Sequence, residues 1–174
     1  DTYLSIDLPN VWSPVEVVKD NDGNITDYHP YEFQWVKELG TTMITDIEIL
    51  AGGQLLAKYS GEYFAAVMHR DHVGNNELWN KMTGNIPELY DPANAFPKKY
   101  NSYPNAMYTN NVTSPESSIH GRRLLIPLDV FFSRTVSMAL PLVSIQYMEV
   151  IVQIRLKPLR ELFTIQIYNT VQEK

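Results

Sequence analysis

Nine consecutive residues, Met148 to Leu156, alternate without a break. Met148, Val150, Val152, Ile154 and Leu156 fall on one side, and Glu149, Ile151, Gln153 and Arg155 on the other. A period of two belongs to the β-strand, whose successive side chains point to opposite faces. The spacing therefore predicts a strand with the first set against a core. The same period recurs along the chain. Leu4, Ile6 and Leu8 share a face in "YLSIDL", which Pro9 closes. Leu124, Ile126, Leu128, Val130 and Phe132 share one in "RRLLIPLDVFF", where Pro127 lacks an N–H and predicts an edge strand or a bulge. Phe163, Ile165 and Ile167 do so in "LFTIQIY".

Thr45, Ile47 and Ile49 oppose Asp46 and Glu48, and Gly52-Gly53 follows. Two glycines supply the positive φ angles of a tight hairpin turn, and Leu55, Ala57 and Tyr59 continue on the return strand. The period then changes. Tyr63, Ala66, Val67 and Arg70 follow helical spacing, with Ser60 as N-cap and Glu62 in the first turn, where the helix dipole favours an anion. "NNELWNKM" predicts a second short helix carrying the i,i+4 pair Glu77 and Lys81. Residues 10–42 read as irregular, with "VEVV" a short strand, "KDNDGN" a polar turn and "YEFQWVKELG" one or two helical turns stopped by Gly40. "SRTVSMAL" reads as a connector with one helical turn. Residues 85–118 hold five Pro, six Asn and four Tyr and show no period. So long a loop in a compact domain is usually functional, and Tyr90, Tyr100, Tyr103 and Tyr108 suit an interface, giving large contact area at low entropic cost.

Short strands, one or two short helices and no βαβ rhythm point to an all-β chain. An antiparallel β-sandwich of the jelly-roll kind fits better than a parallel sheet. The 174 residues suit one domain with a sizeable core, or part of something larger. Composition narrows the function. Net charge is −6, and cationic residues cluster no further than Lys98-Lys99 and Arg122-Arg123. Nucleic-acid binding needs a basic stripe to neutralise phosphates, so that partner is not expected. There is no cysteine, which excludes disulfides and thiolate metal sites. No apolar run approaches the length of a membrane span, so direct membrane insertion is not expected either. The chain opens at Asp1 and is in strand pattern by Tyr3, as a segment of a longer polypeptide would be.

Motifs for chemistry are missing. G-x-S-x-G, G-x-x-x-x-G-K-[ST] and G-x-G-x-x-G do not occur. His69 and His72 share one side of a helix, but two ligands do not make a metal site, and with His29 and His120 they contain no H-x-H pair. Asp46 and Glu48 share a strand face and read as a solvated polar face rather than an acid–base pair. No catalytic role and no cofactor is expected. Asn24-Ile25-Thr26 and Asn111-Val112-Thr113 are N-x-[ST] sequons in loops, making Asn24 and Asn111 candidate glycan acceptors.

Two segments carry a resemblance. "DIEILAGGQLLAKYSGEYF" resembles the strand, Gly-Gly-Gln turn, strand and Tyr-Gly-Glu helix start of the major capsid proteins of large nucleocytoplasmic DNA viruses. "IPLDVFFSRTVSMALPLVSIQYMEVIVQIRLKPLRELF" resembles their Ile-Pro-Leu strand leading through Ala-Leu-Pro-Leu to a Gln-Tyr-x-Glu strand. "YLSIDLP" matches the strand before them. Ala51 stands as an extra residue before Gly52-Gly53, and Ser60 splits the Tyr-Gly-Glu. The resemblance implies a double jelly roll. Residues 1–174 would form most of its N-terminal jelly roll, truncated at both ends, with the second jelly roll absent from this chain. Ala-Leu-Pro-Leu would be a corner leading into an inner strand. It further implies a structural virion protein of the icosahedral outer shell, built as homotrimeric pseudohexagonal capsomers assembled in the host cytoplasm. The implied partners are copies of itself, neighbouring capsomers and minor capsid proteins. The alternative is a carbohydrate-binding, lectin-like jelly-roll module using the Tyr- and Asn-rich loop.

Overall fold

A computed structural model describes residues 2–13, 15–71, 76–95, 103, 117–141 and 143–167. Eight strands run as β1 (Tyr3–Asp7), β2 (Val15–Lys19), β3 (Ile25–Trp35), β4 (Ile44–Ala51), β5 (Gln54–Ser60), β6 (Arg123–Pro127), β7 (Val150–Leu156) and β8 (Phe163–Ile167). Five short helices interrupt them: α1 (Leu39–Thr42), α2 (Gly61–Asp71), α3 (Asn76–Thr83), α4 (Pro87–Tyr90) and α5 (Phe131–Arg134). Among the described residues strand thus outweighs helix, with more helical segments than the one or two expected. The strands form three small sheets, ordered β1-β6, β2-β3-β8 and β5-β4-β7.

The residues divide into two compact units. The first holds residues 1–6, 37–86 and 123–162. Its central strand is β4, paired antiparallel with β5 on one side and β7 on the other. The turn is the expected one: Gly52 and Gly53 have φ of 55° and 81°. The register slips between Ile49 and Leu50, so that Ile49 faces Ala57 while Leu50 faces Leu55, leaving Leu56 as the extra residue of a bulge. Ile47 and Ile49 are fully buried, with Phe64 and Val67 of α2 and Leu124, Ile126, Leu128 and Val130 in the same unit's core. The alternation in "RLLIPLDV" is therefore borne out up to Val130, although β6 itself ends at Pro127. Phe132 departs from it, because the chain has turned into α5 and its ring is only half-buried.

Helix α2 starts as expected, with Ser60 Oγ accepting from Tyr63 N at 3.2 Å. Its buried residues are Gly61, Phe64 and Val67; of the helically spaced Tyr63, Ala66, Val67 and Arg70 only Val67 is among them. In α3 the Glu77–Lys81 pair forms at 2.7 Å.

The second unit holds residues 7–36, 87–122 and 163–174. "VEVV" is a strand as expected, paired with β3. "YEFQW" corrects the sequence reading, since it is not helical. Tyr31, Phe33 and Trp35 alternate in β3 and face Ile167, Ile165 and Phe163 of β8. Phe33 stacks on Phe163 at 4.9 Å and meets Trp35 edge-on at 5.0 Å. The helical turn comes later, and Gly40 lies inside it rather than after it.

Candidate assembly surfaces

In the β5-β4-β7 sheet, residues that face one another across strands share a side. Ile47 faces Tyr59 and Ile154, and Ile49 faces Ala57 and Val152. That side is apolar. The other carries Asp46, Glu48, Lys58, Gln153 and Arg155. Lys58 Nζ lies 2.8 Å from Glu48 and 3.4 Å from Asp46, while Arg155 reaches Asp46 at 3.2 Å and Glu48 at 2.7 Å. Donation to the Glu48 carboxylate holds the Lys58 ammonium above its usual pKa. The two carboxylates are accordingly clamped by two cations, and this arrangement binds three strands together.

The burial expected for β7 fails. Its first set does lie on the apolar side, but Met148, Val152 and Leu156 are exposed and Val150 and Ile154 only half-buried. Among the described residues β7 pairs only with β4, so it is an edge strand and not an inner one. Met148 also precedes the strand, which begins at Val150. Leu142 of the expected Ala-Leu-Pro-Leu corner lies outside the described residues; residues 143–147 form turns ahead of β7, with Ser144 N donating to Pro141 O at 2.8 Å and Met148 N to Ile145 O at 2.9 Å. Three apolar side chains of the connector between α5 and β7 are also strongly exposed: Val136 is 96% exposed, Val143 88% and Tyr147 94%. Sequence reasoning missed these three. Their signal was an apolar run that keeps neither a helical nor a strand period. Exposed apolar side chains on an edge strand and in the connector before it are suited to burial against another polypeptide segment.

The Tyr59-Ser60-Gly61 corner explains the split motif. Tyr59 Oη accepts from Phe131 N at 3.0 Å and so fixes the start of α5. Ser60 caps α2. Gly61 sits where α2 crosses α1 and β4: a Cβ there would fall 2.3 Å from Ile44 O and 2.4 Å from Thr41 O.

The loop tyrosines separate. Tyr103 is buried, and its hydroxyl bridges the Phe33 backbone, accepting from N at 3.1 Å and donating to O at 2.9 Å. Burial raises its phenol pKa. It serves the core of its own unit instead of an outward interface. Tyr90 ends α4 and is half-buried. Tyr100, Tyr108 and the Asn111 sequon lie outside the described residues, as does His72. Asn24 is exposed after a turn that Asp20 organises, with Asp20 Oδ1 accepting from Asn24 N at 2.8 Å and from Asp22 N at 2.9 Å, and Asp20 Oδ2 accepting from the Asn24 side-chain amide at 3.2 Å. These bonds, Asn24's foremost, lower the Asp20 pKa. His69 pairs with Glu38 at 2.8 Å. Among the described residues no group of three or more His, Cys, Asp or Glu could hold a metal ion, and no helix is long and apolar enough to cross a membrane.

The family described as "Major capsid protein N-terminus" matches residues 7–173. A relative in Acanthamoeba polyphaga mimivirus, "Probable capsid protein 4", is 31% identical over 94% of this chain and 26% of its own length. The "Major capsid protein" of Phaeocystis pouchetii virus is 23% identical over 92% of this chain and 29% of its own. The chain thus spans little more than a quarter of these relatives. The solved "Faustovirus major capsid protein" matches with a TM-score of 0.56 at 14% identity, over 92% of this chain and 38% of that one, which speaks to the fold alone. With its Gly-Gly hairpin, its Tyr-Ser-Gly-Glu corner and a match over nearly its whole length, this chain belongs to the major capsid protein family of large DNA viruses, in the N-terminal region of that family.

Proposed function

We propose that this chain is the N-terminal part of a non-enzymatic shell protein of a virion. The parent polypeptide would carry two jelly rolls and close into trimeric pseudohexagonal capsomers of an icosahedral outer capsid. The carrying observation is the family match over residues 7–173. The exposed apolar side chains of β7 and of the connector before it support the reading, because a shell subunit must bury surface against other segments and other subunits. A closed three-fold ring uses head-to-tail contacts, so each subunit needs two different contact surfaces. Neighbouring capsomers and minor capsid proteins are the further partners, the virion the location and the host cytoplasm the place of assembly.

Tyr90, Tyr100 and Tyr108 remain the interface residues of the long loop, whereas Tyr103 is reserved for the core. The test is to express the full-length parent and weigh it by light scattering. A trimer is expected. A parent that stays monomeric at micromolar concentration refutes the capsomer. Tyr100→Ser with Tyr108→Ser should weaken the trimer while leaving the fold intact, and unchanged trimers would remove the loop from the interface. Mass spectrometry of virion-derived protein decides the glycan acceptors Asn24 and Asn111.

A further inference from the structure

We propose that the cavity between α1, α2 and α3 is a binding site for a neutral polyhydroxylated ligand, a saccharide. This goes beyond the shell-forming reading and does not depend on it. It also moves sugar binding away from the Tyr- and Asn-rich loop.

The cavity has a volume of about 130 Å³, and its walls include Glu38, His69, Trp79, Asn80 and Asn85. A wider cleft of about 510 Å³ shares Glu38 and Thr41 with it. Glu38 is held in the left-handed region, φ 52° and ψ 43°, and it is the one described non-glycine residue with positive φ. Three donors fix its carbonyl: Thr41 N at 3.1 Å, Thr42 N at 2.9 Å and Thr41 Oγ1 at 3.1 Å. Glycine is the ordinary residue for such a backbone. Non-glycine residues kept in it cluster at ligand sites, where the side chain is what is needed. Here the side chain delivers a carboxylate to the cavity wall.

The hydrogen-bonding capacity left over defines the ligand. Glu38 Oε1 is engaged by His69 Nε2 at 2.8 Å, which leaves Oε2 as an acceptor and His69 Nδ1 as a second polar atom. Asn85 Nδ2 donates to Asn80 Oδ1 at 3.1 Å, which leaves Asn80 Nδ2 as a donor and Asn85 Oδ1 as an acceptor. Among the described residues lining the smaller cavity there is a carboxylate and no Lys or Arg, which disfavours an anion there; Lys157 lines only the wider cleft. The described residues provide no metal cluster. So many uncommitted polar atoms disfavour a lipid. Adjacent hydroxyls, each both donor and acceptor, match alternating acceptors and donors, and Trp79 among the lining residues adds an aromatic group of the kind that packs on a sugar's C–H face.

The experiment is saturation-transfer NMR on the full-length parent with free neutral hexoses, fucose and N-acetylhexosamines at millimolar concentration, with sulfate as competitor. Transfer to at least one sugar is expected, with no competition by sulfate. Glu38→Gln and Asn80→Ala should each weaken that sugar by about tenfold or more. Glu38→Gly, which suits the left-handed backbone, should abolish binding while leaving the melting temperature unchanged or higher. Transfer to no sugar overturns the proposal. So does binding within about twofold of the parent in both Glu38→Gln and Asn80→Ala, since each 1.4 kcal/mol is tenfold in affinity. Competition by sulfate overturns the neutral-ligand assignment. Light scattering on the same samples reports assembly separately.

Discussion

Gly61→Ala should destabilise the first unit, although the same change in an exposed helix would help. An alanine in place of glycine inside a helix normally gains up to about 1 kcal/mol. At Gly61 the added Cβ would lie 2.3 Å from Ile44 O and 2.4 Å from Thr41 O. Both obstacles are backbone, so no side-chain rotation relieves them, and α2 must move away from β4 and α1. Overpacking of this kind costs about 1–3 kcal/mol, and rigid neighbours place it at the upper end. The helical gain is too small to offset it, so a net loss of about 2 kcal/mol is expected. Hydrogen exchange in the full-length protein is the assay, because it reads the opening free energy of α2 and β4 without requiring the whole molecule to unfold at once. Two controls isolate the cause. Ala66→Gly, on the exposed side of α2, should lose only about 1 kcal/mol. Gly23→Ala, with φ 85° and nothing within 4 Å, should show about 1 kcal/mol of backbone strain without a clash. If Gly61→Ala protects α2 as well as the parent does, the close approach of α2 to the Ile44 and Thr41 carbonyls is wrong.

Ile49→Ala and Val152→Ala test the edge strand, since the two residues face each other on one side of the sheet. The fully buried Ile49 should cost about 2–5 kcal/mol, and Val152, 44% exposed, about 1 kcal/mol or less, both read by hydrogen exchange in the full-length protein. Tyr103→Phe leaves the Phe33 N–H and C=O without their partner in a part-buried place and should cost about 1–3 kcal/mol by the same measurement. Because burial raises the Tyr103 pKa, its folded form holds the proton more tightly. The stability it confers is full below the ordinary phenol range near pH 10 and falls as pH rises through the folded value, which ultraviolet titration follows. Asp20 has the opposite sign. Its lowered pKa favours the folded turn above the ordinary carboxylate range and loses that preference as pH falls through the folded value, which carboxyl NMR titration of Asp20 checks.

What the sequence made legible was local. Gly52-Gly53 can be read because two positive φ angles have few other solutions, and Ser60 because a serine three residues before an orphan N–H is a cap. Tyr31, Phe33 and Trp35 alternate as plainly as Ile47 and Ile49 do. They were lost to a helical reading because Glu32, Gln34, Lys37 and Glu38 also suit a helix, and the deciding partner, β8, lies about 130 residues away in sequence. Tyr103 was misplaced for the same reason. An aromatic in a loop looks like a contact until the backbone it bridges, 70 residues earlier, is known.

The failure at β7 has a different origin. Alternation states which side chains share a face, and it did so correctly: Val152 and Ile154 lie with Ile47 and Ile49. Whether that face is covered is a property of the neighbouring element. Ile49 is closed off at the centre of its sheet, while Val152, directly opposite, stands at the edge. The same limit applies to the candidate cavity. Glu38 precedes α1, His69 lies in α2, Asn80 in α3 and Asn85 after it, and no spacing rule joins them. The one hint available in advance was chemical: a glutamate immediately before Leu39-Gly40, where the chain has to turn left-handed and the glycine stands two places too late.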